Sequence, residues 1–237
     1  MPVTAHAPFT ALHVMTSVDE LVDATDQAGA RAIREQRGFE IVPRVESGAI
    51  CGFWDAETGE AHQPVELRHV VASDLNLFGL IAVLRERRFT FVLVGDRVAG
   101  YIHYSDLNHS VVKVPLYILF EAVERRALRW TRGADIAAIE AALGAPEASR
   151  VAKQLHRRRA DAADLSPAGQ LGFGDLLRLA GHCGWPAVAG LPLPRLVGHR
   201  NRVAHAGENL VRRHEQVWAL EQTVADLVRL AGGDDPP

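Results

Sequence analysis

The chain has 237 residues, of which 48% are hydrophobic and 23% charged, with a formal net charge of −3. Those are ordinary globular values, and the length suffices for one or two domains with buried cores. No apolar run approaches the roughly 18 residues of a transmembrane helix. "MPVTAHAPFT" lacks the basic-then-apolar order of an export signal, so a cytoplasmic protein with no membrane partner is expected. Cys51 and Cys183 stand far apart and read as two reduced thiols.

The charge is unevenly spread. Residues 1–124 hold 10 Lys/Arg against 17 Asp/Glu, residues 125–214 hold 15 against 7, and the remainder hold 1 against 5. An acidic first half is a poor nucleic-acid surface. The basic middle block, with "HRRR" (His156 to Arg159) and "VRRH" (Val211 to His214), can attract phosphates.

In chain order, "ELVDATDQAGARAIREQ" places apolar residues at three- and four-residue spacing and predicts a helix. The β-rich run "FEIVPRV", the turn "ESG" and a second strand "AICGFW" follow. The same order then returns, with a helix over "NLFGLIAVLRER", a strand "FTFVLV", a turn "GDR" and a strand "VAGYIHY". "AIREQRGFEIVPRVESGAICGFWD" (Ala32 to Asp55) and "VLRERRFTFVLVGDRVAGYIHYSD" (Val83 to Asp106) thus form an internal repeat, with Phe39 and Phe89 lying 50 residues apart.

This helix–hairpin–helix repeat resembles the CBS domain, a module that works as a tandem pair. The resemblance covers residues 9–125, with copies over about 9–65 and 66–125, and the second copy matches best. In that family an acidic residue six positions after the strand's glycine binds the ribose of an adenine nucleotide. The resemblance therefore implies a nucleotide site at Gly100, His103 and Asp106, with AMP, ADP or ATP as regulatory ligand and no required cofactor. His103 departs from the Thr or Ser that contacts phosphate in the family. The first copy departs further, with Asp55 and Thr58 at the two matching places, so one site is expected instead of two. A carboxylate suits ribose because it accepts hydrogen bonds from both vicinal hydroxyls. Read without the resemblance, Asp106 before "LNHS" also fits a helix cap.

"VVKVPLYILFEAVERRALRW" predicts one long amphipathic helix, with Pro115 in its first turn. Leu116, Leu119, Phe120, Val123 and Trp130 share a face that reads as packing or a dimer seam. Beyond Thr131 strand signals vanish. "ADIAAIEAALG", "EASRVAKQLHRRRADAADL", "GFGDLLRLAGHCG", "PRLVGHRNRVAHAG" and "RRHEQVWALEQTVADLVRLAGG" read as helices punctuated by Gly and Pro. The expected fold class is an α+β CBS-like pair followed by an all-α helical bundle over residues 132–231.

One stretch of that bundle, "HRNRVAHAG" (His199 to Gly207), carries too many polar groups for a core and too few solvated ones for a surface. On a helix, Asn201 and His205 share a face and Arg200 reaches over the same groove. An arginine fork holds phosphate, and an imidazole moves protons near neutral pH. "RNRVAH" resembles the motif of the HEPN family, helical domains whose nuclease members carry Arg, a polar residue, three intervening residues and His. The resemblance implies a metal-independent endoribonuclease with RNA as partner, its active site formed between two copies in a homodimer. His205 would be its base or acid, Arg200 would face the phosphorane charge, and Asn201 would orient one of them. Eleven histidines show no metal-ligand spacing, so no metal is expected.

Two readings stand open. One is an adenine-nucleotide-regulated ribonuclease. The other is a non-catalytic regulatory or scaffold protein whose helical domain binds RNA or a protein partner.

Overall fold

The computed structural model describes residues 9–55, 62–158 and 166–233. Thr58 and Arg159 lie outside the described residues. The chain forms two compact units: an α+β unit of residues 9–112 with Val211–Glu221, and a helical unit of Lys113–Leu210 with residues 222–233. No helix among the described residues is long and apolar enough to cross a membrane.

The α+β unit begins with α1 (Ala11–Val14), β1 (Thr16–Ser17), α2 (Gln27–Arg37), β2 (Ile41–Glu46), β3 (Ala49–Asp55) and β4 (His62–Pro64). It continues with β5 (Val70–Ala72), α3 (Leu77–Glu86), β6 (Phe89–Val94), β7 (Arg97–His103) and a 3-10 turn over Tyr104–Asn108. Helix α2 starts seven residues later than Glu20, where the spacing placed it. Asp26 Oδ1 accepts from Gly29 N at 2.8 Å and caps the helix, while Ala24 N is held in an extended contact with Pro43 O at 3.1 Å.

Both hairpins have the same register. Ile41 faces Asp55 in one and Phe89 faces His103 in the other, and each ladder slips at the matching place, Arg44/Val45 and Val92/Leu93. The structural repeat is therefore 48 residues, not the 50 that Phe39 and Phe89 suggest. Phe39 lies ahead of β2, exposed, and Ile41 takes the buried place that corresponds to the start of β6. Phe53 and Phe91, one from each hairpin, meet at 5.4 Å in a core that also holds Ile41 and Ile50.

Each hairpin takes a third strand over a glycine: β4 lies on β3 with Gly52 opposite Pro64, and β1 lies on β7 with Gly100 opposite Ser17. A Cβ on Gly52 would come within 2.1 Å of His62 Nε2 and 2.7 Å of Gln63 O. One on Gly100 would come within 2.3 Å of Met15 Sδ and 3.0 Å of Thr16 O. The N-terminal residues belong by packing to the second hairpin, though they precede the first. Parallel pairing of β5 with β6 across α3 completes a four-stranded sheet in the order β1-β7-β6-β5, beside a three-stranded sheet β2-β3-β4.

The remaining helices are α4 (Ser110–Trp130), α5 (Ile136–Leu143), α6 (Ala145–Arg158), α7 (Phe173–His182), α8 (Leu193–Ala204) and α9 (Gln216–Gly232). Pro115 falls in the second turn of α4, which starts five residues earlier. Within α4, the division between the two compact units falls after Val112. Leu116, Leu119, Phe120 and Val123 are buried, and the Phe120 ring meets Phe173 edge-on at 5.3 Å, so this face of α4 packs with the helical unit. Trp130 stacks on Trp185 at 6.3 Å with 10° between the rings.

The glycine positions give a test with opposite signs. Gly52→Ala forces a Cβ against backbone and should destabilise the chain by about 1–3 kcal/mol. Gly198→Ala fills open space within α8 and should stabilise it by about 0.5–1 kcal/mol. Chemical denaturation of both variants checks the pair.

Candidate ligand site

A cavity of about 400 Å³ in the α+β unit lies where β2 begins and β7 ends. Beside it is a polar cluster of positions that the repeat makes equivalent. Glu40 precedes β2 as Arg88 precedes β6, and Asp55 ends β3 as His103 ends β7. Arg88 Nη1 donates to Glu40 Oε2 at 2.7 Å, and its Nη2 lies 3.5 Å from Asp55 Oδ1. His103 Nε2 is 3.6 Å from the same Glu40 oxygen, beyond hydrogen-bond length, and this buried atom has no partner. Burial lowers the His103 pKa despite the pull of Asp106 and Glu40, which keeps the ring neutral at pH 7.

Of the three residues expected to bind nucleotide, two line this cavity. Asp106 Oδ2 accepts from His103 N at 2.8 Å and braces the start of the Tyr104–Asn108 turn, so the capping role is filled as well. Its Oδ1 lies 3.8 Å from His109 Nε2, and burial raises the Asp106 pKa. His103 Nδ1 pairs with Ser105 Oγ at 2.8 Å, leaving Nε2 directed elsewhere. Gly100 does not line the cavity; its missing side chain makes room for Met15 and β1.

Glu40, Tyr101 and Tyr104 also form the wall, and the sequence reading passed over them. Tyr101 lies parallel to His103 within 14° at 6.5 Å, and Tyr104 approaches the same imidazole at 4.3 Å. Burial, with Asp106 next, holds the Tyr101 phenol well above its ordinary pKa, so it remains a neutral donor. A repeat aligned at 48 residues pairs Glu40 with Arg88 and is the sequence signal for this cluster. The wall offers carboxylate acceptors and flat aromatic faces, suited to a ligand with hydroxyl donors and a planar ring.

The structure separates the "HRNRVAHAG" residues. Helix α8 ends at Ala204, and His205 is its exposed C-cap with extended backbone, φ −108° and ψ 116°. His205 N still donates to Asn201 O at 3.1 Å, and the backbone leaves the helix from His205 onward. Buried Lys113 is the reason: its Nζ donates to the carbonyls of His205, Ala206 and Glu208 at 3.0, 3.0 and 2.6 Å, which draws the chain off the helix axis. Arg200 Nε lies 3.3 Å from Glu124 Oε1, and Arg202 reaches Leu210 O at 3.4 Å. His199 is buried, with Nδ1 2.8 Å from Thr223 Oγ1. Arg200 and Asn201 line a cavity of about 570 Å³ in the helical unit with Glu124, Asp175 and Arg178, and His205 is not in its wall.

No family model matches this chain, and no curated protein does. One solved structure similar to it is the CBS domain of a bacterial CNNM/CorC family Mg2+ transporter, in complex with ATP. The identity is 17% and the TM-score 0.35, over 44% of this chain and 87% of that one. The ATP belongs to that protein.

His199 makes the helical unit sensitive to acid. Burial, then Arg202 and Arg195, lower its pKa from 6.5 to about 4. The unfolded chain binds this proton more tightly, so His199 contributes full stability above pH 6.5 and loses it as pH falls towards 4. The loss amounts to about 3 kcal/mol at most. His199→Gln should flatten the stability–pH curve between those limits, as measured by urea unfolding at several pH values.

Proposed function

We propose that this chain is a ligand-responsive regulator, whose α+β unit takes a ligand of the adenine nucleoside and nucleotide class and whose helical unit carries the output. The reading is supported by the Tyr104–Asn108 turn, which faces two ways. Tyr104, Ser105 and Asp106 line the cavity. Asn108, at the end of the same turn, exchanges two hydrogen bonds with Val211: its Nδ2 donates to Val211 O at 2.8 Å, and Val211 N donates to its Oδ1 at 3.0 Å.

The segment held in this way leads into α9. The His214 ring lies 5.5 Å from that of Tyr104, His214 Nε2 meets Leu84 O at 2.8 Å, and Arg85 Nη1 donates to Glu221 Oε2 at 2.8 Å. Helix α9 is unbroken from Gln216 to Gly232, with residues up to Glu221 in the α+β unit and the rest in the helical unit. A ligand that favours one position of the turn therefore acts at the root of a helix that ends in the other unit. It does so only through a difference in affinity for two arrangements.

In the wild type, a saturating adenine ligand should raise the melting temperature and alter hydrogen exchange at Val211. Asp106→Ala should weaken binding by about 1–3 kcal/mol. Asn108→Ala should leave binding in place and remove the ligand's effect on residues 211–221. Failure of adenosine, AMP and ATP alike to shift the wild-type melting temperature would overturn the reading.

Within one chain His205 is outside the wall that Arg200 and Asn201 share, and Arg200 Nε lies 3.3 Å from Glu124 Oε1. We therefore propose a non-catalytic output. Purified protein should leave RNA intact in EDTA. Cleavage that is abolished by His205→Ala would restore the ribonuclease reading.

A further inference from the structure

The chemistry of the cavity wall narrows the ligand further. Its ionisable groups are Glu20, Glu40, Asp106, His103 and two tyrosines, and among the described residues no lysine or arginine lines it. The nearest arginine of the cluster, Arg88, is outside the lining and engages Glu40 and Asp55. Neutral His103 offers one unpartnered ring nitrogen and no positive charge. Gly38, the C-cap of α2 with φ 70°, also lines the cavity, so the C-terminus of that helix, the negative pole of its dipole, borders it.

Phosphate recognition rests on arginine forks, lysines, or the N–H groups at the start of a helix. This wall presents the opposite: carboxylates and a helix C-terminus, which repel a phosphate dianion and accept from neutral donors. Asp106 and Glu40 can receive hydroxyl or amine hydrogens, and the Tyr101–His103–Tyr104 series gives a planar ring a flat neighbour. Arg34 and Arg37 stand on the last turn of α2 but are not part of the wall.

Resting on the regulator reading above, we infer that the cavity takes an unphosphorylated nucleoside, adenosine being the probe, and discriminates against its phosphates. The selectivity is set by the sign of the wall's charge. Each phosphate brings like charge towards Glu20, Glu40 and Asp106, and the repulsion is largest where water is excluded.

The test is calorimetric titration of the full chain with adenosine, AMP and ATP, the last with and without Mg2+. Adenosine should bind about tenfold or more tightly than AMP, with ATP weaker again. Glu20→Gln, at an exposed position, should narrow the gap between adenosine and AMP without unfolding the chain. Arg37→Ala should leave the ranking unchanged. ATP or AMP binding as tightly as adenosine, or a preference for phosphate that Arg37→Ala removes, overturns this inference and leaves the regulator reading intact. Binding of none of the three overturns both.

Discussion

The ion pair between Glu40 and Arg88 ties the two halves of the α+β unit together at positions their own repeat makes equivalent. Each residue stands immediately before the first strand of its hairpin, and Asp55 and His103 close the same hairpins opposite them. An exact duplication would place like charges there. Arg88, in place of a second acid, converts that conflict into attraction towards Glu40 and Asp55. The Arg88 side chain is 20% exposed, so removing Glu40 would leave a mostly desolvated cation with less to balance it. The cluster also makes the cavity asymmetric: it draws the cationic group away and leaves carboxylates in the wall.

The same economy of partners explains the basic stretch in the helical unit. Arg200 and Asn201 share one cavity wall, while the other polar groups are engaged elsewhere. His199 pairs inward with Thr223, Arg200 with Glu124, Arg202 with a carbonyl, and the backbone after Ala204 is gathered by Lys113. The buried lysine satisfies the C-cap carbonyl of α8, which a helix end leaves unpaired, and two carbonyls of the turn beyond it. His199 thus anchors α8 from within, and Lys113 holds the backbone that follows it.

The two units share the chain through α4 and α9, each of which begins in the α+β unit and ends in the helical one. Asn108 matters because its side-chain amide presents a donor and an acceptor to Val211 as a neighbouring strand would. Two hydrogen bonds at one residue fix the approach of a segment that lies more than a hundred positions along the chain. With His214 and Glu221 adding contacts on α3, the C-terminal segment becomes a structural part of the α+β unit.

The sequence by itself determined the hairpins and most helices. Alternating strand residues, the turns at Ser47–Gly48 and Gly95–Asp96, and Gly144 after α5 act over a few residues, where local backbone preference decides. The cap by which Asp106 accepts from His103 N is local too, three residues apart. Only tertiary structure decided that β1 would lie on β7, that Val211–Glu221 would leave the helical unit, and that Lys113 would end α8 before His205. Those outcomes depend on partners far apart in sequence, and a periodicity carries no information about which distant donor will claim a carbonyl. Glu40 was hidden for a related reason: its meaning depends on Arg88, and a repeat aligned two residues out of register does not pair them.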